Sequence, residues 1–83
     1  MLVIISKDAH KQYEHLSKSE QIKVRKKILL LAENPTAGKK LVGELRGIRS
    51  LRVWPYRIIY EINEAKKRIE VHKIAHRQGA YKR

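Results

Sequence analysis

The chain contains no cysteine. That excludes a disulfide framework and a thiolate zinc centre, and it fits a reducing compartment. Carboxylates are scarce: 8 Asp and Glu stand against 20 Lys and Arg, leaving a formal charge of +12 on an 83-residue chain. Long apolar runs are missing as well. The opening run Leu2 to Ile5 stops at Ser6 and Lys7, short of the roughly 7–15 apolar residues of a secretory signal. Nothing approaches the roughly 20 needed to span a bilayer. A cytoplasmic protein without membrane contact is the expectation. The phosphate-loop spacing GxxxxGK[ST] is absent, as are paired carboxylates and a nucleophile elbow. His10, His15, His72 and His76 do not combine with carboxylates at ligand spacing in the sequence, so no metal and no cofactor is expected.

At this length residues 1–83 form one expected domain. A domain so small buries only about 60% of its unfolded surface, so its core is small. The positive charge costs stability through self-repulsion and draws polyanions, with nucleic acid first and an acidic protein inhibitor beside it. An anionic membrane is the weakest candidate, because no helix pairs a basic face with a bulky apolar one.

Read in order, Leu2 to Ile5 suggests a buried strand. Ser6 can cap a helix carrying Ala9, Tyr13 and Leu16 on one face. Ser17 and Glu20 have the spacing of a capping box for a second helix, expected to run to Glu33 and stop before Pro35. Val24, Ile28 and Leu31 form its buried stripe, widened by Ile22, Leu29 and Ala32, with Lys23, Lys26 and Lys27 mostly outside it. Asn34 to Gly43 reads as a loop in which Lys39 and Lys40 can meet phosphates. Two hairpins follow, turning at Trp54-Pro55 and at Asn63 to Lys67, and the last strand spans Arg68 to Ala75. Short connections predict an antiparallel sheet, and two helices on one face give an α+β fold of two layers.

The segment LRGIRSLRVWPYRIIY, Leu45 to Tyr60, carries Arg46, Arg49, Arg52 and Arg57 and no carboxylate. Alternation puts Leu51 and Val53 on one side of a strand and Arg52 and Trp54 on the other. Past the turn it groups Tyr56, Ile58, Tyr60 and Ile62 against Arg57, Ile59 and Glu61. Arg52 and Arg57 can then share a face across the hairpin. Trp54 can stack on a base or pack at the turn. Arg77 ends the last strand and Tyr81 follows, in AHRQGAY. His76 has parity opposite to Arg77, and Glu61 is expected to pair with a neighbouring arginine.

LRGIRSLRVWPYRIIYEI followed by VHKIAHRQGAY resembles the RelE/ParE family of toxins from toxin–antitoxin systems, over nearly the whole chain. The resemblance implies a RelE-like fold, an opening helical hairpin on a small antiparallel sheet. It further implies a ribosome-dependent mRNA endonuclease acting in the A site of the small (30S) ribosomal subunit, silenced by an acidic cognate antitoxin in a hetero-oligomer. By position it assigns Arg52, Arg57, Arg77 and Tyr81 to catalysis. Arg46 becomes a supporting phosphate or ribosomal RNA contact, and Arg49, Trp54, Lys39 and Lys40 join the RNA-binding surface. Ser50 stands where some members carry Lys, and Trp54-Pro55 where many carry a glycine-containing turn. Two other functions stay open: a ParE-like inhibitor of DNA gyrase, and a non-catalytic basic nucleic-acid-binding domain.

RNA carries its own nucleophile, the 2′-hydroxyl. An enzyme can cleave it by alignment, by stabilising charge on the phosphorane and by assisting proton transfer, without a metal. Guanidinium groups suit the second task, since they bind phosphate through two parallel donors and stay charged.

Overall fold

The computed structural model describes residues 1–41 and 47–76, so the expectations placed on Arg46, Arg77 and Tyr81 lie outside the described residues. The elements are β1 (Leu2–Ile5), α1 (Lys7–Glu14), α2 (Lys18–Glu33), a 3₁₀ turn (Pro35–Ala37), β2 (Lys39–Lys40), β3 (Ile48–Val53), β4 (Tyr56–Asn63) and β5 (Arg68–His76). They make an α+β fold whose sheet has the strand order β1-β5-β4-β3-β2.

Local chemistry sets the helix limits. The Ser6 hydroxyl accepts from the Ala9 amide at 3.0 Å and donates to the His72 carbonyl at 2.7 Å, so one side chain caps α1 and ties it to β5. Ser17 and Glu20 form the reciprocal capping box at the start of α2. The bond from the Ser17 amide is the main reason the Glu20 carboxyl lies below its ordinary range. Pro35 follows the last turn, where the Asn34 amide still donates to Leu30.

The core forms where the helices meet the sheet, from Ala9, Val24 and Leu31 against Leu51, Val53, Ile58, Tyr60, Ile69, Val71 and Ile74. The expected widening of the α2 stripe fails at two positions, since Ile22 is 51% and Leu29 62% exposed. The reason is length: α1 has 8 residues against 16 in α2 and leaves much of that flank without a neighbour.

Two further expectations are corrected. The sheet is mixed, because β1 runs parallel to β5, from Leu2 opposite Arg68 to Ile5 opposite Val71. Short connections force antiparallel pairing only on the strands they join, and β1 meets β5 with the rest of the fold between them. The helices therefore follow a strand rather than opening the chain. Nor is β1 buried; it is an edge strand whose Leu2, Ile4 and Ile5 are exposed.

A bulge shapes β5. Ile59 pairs with Lys73 while Tyr60 pairs with Val71, which leaves His72 as the extra residue. The Ser6 hydroxyl, capping α1, bonds the His72 carbonyl, and from within α1 the Gln12 carboxamide oxygen accepts from the Ile74 amide at 2.7 Å. Val71 and Ile74, three apart in sequence, thereby both face the core. Among the described residues no helix is long and apolar enough to cross a membrane.

Candidate functional site

The β3–β4 hairpin closes with Val53 opposite Tyr56 around Trp54 and Pro55, whose peptide bond is cis. One position further from the turn, Arg52 and Arg57 are direct cross-strand partners. Their neighbours Leu51, Val53 and Ile58 enter the core, so the two guanidinium groups occupy the sheet face turned away from the helices. Cβ atoms of such partners lie about 4.5–5.5 Å apart, and like charges directly opposed destabilise a sheet. An anion seated between them reverses the sign of that interaction.

The same face holds a further cation outside the expected set. Lys73 stands opposite Ile59 and diagonal to Arg57, which pairs with Ala75. Alternation counted forward from Arg68 loses register at the His72 bulge, whereas counted back from Arg77 it gives Lys73 the parity of that arginine. Between Lys39 on β2 and Ile59 on β4 lies Ser50, 4% exposed, whose hydroxyl has no hydrogen-bond partner among the described residues.

Not every expected contact gathers there. Arg49 shares the parity of Leu51 and donates to the Gly38 carbonyl at 3.0 Å, on the helix side of the sheet. Its register partner Lys40 belongs to that side too. Arg49 is held beside the buried Tyr60 hydroxyl, which accepts from the Gly38 amide at 2.9 Å and donates to the Pro35 carbonyl at 2.7 Å. Burial is the leading influence on Tyr60 and pushes its phenol above the ordinary value. This knot pins the chain just ahead of Lys39 and Lys40, which form a short strand instead of the expected loop. Trp54, at the hairpin turn, is 58% exposed.

The carboxylates of the sheet lie toward its opposite end. Glu61 pairs with His72 at 3.0 Å rather than with an arginine, and Glu70 with Arg68 at 2.7 Å. Arg68 is the main reason the Glu70 carboxyl lies below its usual range. Ligand atoms of Glu61, Glu70 and His72 fall within 4.8 Å of one another, a grouping that sequence spacing missed because it forms across strands. These residues could hold a cation, although each already has a polar partner, Glu61 with His72 and Glu70 with Arg68. His76 packs edge-on against Tyr56 at 5.7 Å, on the helix side and away from Arg57.

The arrangement can bind a phosphodiester and stabilise extra negative charge on it. Comparison with known proteins places it in context. The family described as the ParE toxin of type II toxin–antitoxin system, parDE, matches residues 3–81. No curated protein matches the chain. Among solved structures it is similar to the toxin–antitoxin complex RelBE2 from Mycobacterium tuberculosis, at 25% identity and TM-score 0.83, covering 90% of this chain and 95% of that one. It is also similar to the archaeal RelE–RelB complex of Pyrococcus horikoshii OT3, at 24% identity and TM-score 0.77, covering 95% and 97%. The intact RelBE complex of E. coli shares the fold at 16% identity and TM-score 0.78, covering 90% and 94%. A match running almost from end to end, on a sheet and helix arrangement shared with these toxins, makes the chain a member of the RelE/ParE superfamily of type II toxin–antitoxin toxins.

Proposed function

We propose that this toxin is an endoribonuclease that cuts mRNA in the ribosomal A site. The observation that carries the reading is the direct opposition of Arg52 and Arg57 on the sheet face away from the helices. A phosphate between them accepts donors from both strands, and the charge gained on going to the phosphorane strengthens each contact, which lowers the barrier. The 2′-oxygen attacks the adjacent phosphorus and the bond to the 5′-oxygen breaks. The products are a 2′,3′-cyclic phosphate and a 5′-hydroxyl, with one proton leaving the 2′-hydroxyl and one reaching the departing oxygen. The resemblance adds Arg77 and Tyr81 to this machinery and Arg46 to its support. Lys39 and Lys73 extend the cationic field, and Arg49 is reassigned to holding Gly38.

The test is induction without antitoxin followed by mapping of message 5′ ends, with new cuts expected inside translated codons. Arg57→Ala, and separately Arg77→Ala, should lower cleavage on the order of a hundredfold while ribosome binding falls modestly. Full cleavage by both variants would remove these residues from the mechanism. The match to a family described as ParE favours a second reading, gyrase inhibition. Intact messages together with gyrase-dependent DNA damage would establish it.

For the antitoxin, the net charge of +12 favours an acidic segment. The relatives solved as RelB complexes make a partner of this class the natural one.

A further inference from the structure

A groove of about 450 Å³ runs between α2 and the hairpin turn, lined by Lys23, Lys26, Lys27, Arg52, Val53 and Trp54. Sequence spacing left its three lysines as solvent-facing positions of a helix. The fold sets them beside Arg52, one member of the cross-strand arginine pair. Lys23, Lys26 and Lys27 are spaced i, i+3 and i+4 and share one flank, with about 6 Å of helix axis between the first and the last. Neither Lys26 nor Lys27 has a carboxylate three or four residues away in the sequence. Their repulsion is thus uncompensated within the helix. Trp54 closes the far end with more than half its surface exposed.

We infer that this groove binds single-stranded nucleic acid, with phosphates on the α2 lysines and a base stacked on Trp54. A row of ammonium groups tracking a backbone, ending in an aromatic platform, is what recognises a single strand without reading its sequence. An acidic peptide would satisfy the lysines yet has no flat ring system for the indole. A duplex keeps its bases inside. The inference rests on the reading of the chain as a toxin directed at RNA, and it gives the message a path onto Arg52.

Binding is tested apart from cleavage with a short 2′-O-methyl RNA, which lacks the nucleophile, and the full-length chain. Trp54 is the only tryptophan, so its fluorescence reports the groove alone. Quenching that saturates with the oligonucleotide is expected. Trp54→Ala, followed by anisotropy of a labelled strand, should weaken binding roughly tenfold. The Lys26→Gln/Lys27→Gln double variant should lower the slope of log K against log salt by about 1.4. Both changes sit on exposed or half-exposed side chains, and circular dichroism checks the fold. A single-stranded DNA arm of the same sequence tells whether the 2′-substituent matters, and equal affinity supports a groove that reads backbone and base alone. RNA that binds with Trp54 fluorescence unchanged, or with unaltered affinity and slope in the variants, overturns the inference. Quenching by an acidic peptide and by neither nucleic acid overturns it as well. Cuts in translated messages on induction, without quenching by the oligonucleotide, defeat the groove alone, and quenching without such cuts defeats the nuclease alone.

Discussion

Tyr60→Phe removes one oxygen from the centre of the fold, and the structure gives its cost. The hydroxyl donates to Pro35 at 2.7 Å and accepts from Gly38 at 2.9 Å. Loss of the acceptor strands the buried Gly38 amide, at about 1–3 kcal/mol, and loss of the donor leaves a part-buried carbonyl, nearer 1 kcal/mol. Together these come to about 2–4 kcal/mol, a large part of the roughly 5–15 kcal/mol of a small domain. The melting temperature should fall on the order of 10–30 °C. Gly38→Ala attacks the same contact from the other side, because its new Cβ would meet the Tyr60 hydroxyl at 2.6 Å and the ring edge at 2.7 Å. Overpacking of this kind costs about 1–3 kcal/mol. Since the phenylalanine variant lacks the oxygen, the two changes combined should cost about 1 kcal/mol less than their sum. Urea denaturation of the wild type, both single variants and the double variant, followed by circular dichroism, measures all four corners. A Tyr60→Phe cost below about 0.5 kcal/mol, or strict additivity, would show that the hydroxyl does not tie the Lys39–Lys40 segment to the sheet.

Ser50→Ala should stabilise the fold by about 1 kcal/mol, because the buried hydroxyl has no bond to give up among the described residues. A melting temperature that drops instead would mean the hydroxyl has a partner in solution. Stability should also fall at both ends of the pH scale. The Glu20 and Glu70 carboxyls are held below their ordinary value in the folded chain, so their contribution is present above that value and is lost as pH falls through the folded one. The Tyr60 phenol is raised, so its contribution is whole below the ordinary value near 10 and is lost as pH rises through the folded one. Glu20→Gln should flatten the acid limb of a denaturation series, and Tyr60→Phe the alkaline limb. Limbs that both variants leave untouched would sever the link between these groups and the pH profile.

What could be read without coordinates was what depends on neighbours in the chain. Ser6, the Ser17–Glu20 box and Pro35 each act within four residues, and they fixed both helices. Alternation through LRVWPYRIIY put Arg52 and Arg57 on one face, because a tight turn leaves two strands little choice of register. Arg49 was expected on the RNA-binding surface, yet its parity with Leu51 already placed it on the helix side, where it bonds Gly38. What stayed hidden depends on partners far away. Nothing in LVII says that it will lie parallel to a strand more than sixty residues later. The bulge at His72 is met by the Ser6 hydroxyl, 66 residues earlier in the chain, and no feature of the β5 sequence announces that contact. The Glu61–His72 pair was invisible for the same reason.

The layout of charge is the part that stability alone does not explain. A small basic domain lowers its self-energy by spreading cations and interleaving its few carboxylates. This chain does the reverse. Glu61 and Glu70 are committed to His72 and Arg68 toward one end of the sheet, while Arg52 faces Arg57 near the other, with Lys73 diagonal to the pair. The α2 lysines then extend the same field around the edge of the sheet to Trp54. Opposed like charges on adjacent strands are avoidable, since a single carboxylate at either position would turn repulsion into attraction. A polyanion laid along this face would interact favourably with every one of these cations at once, whereas a lone acidic side chain would answer only one position.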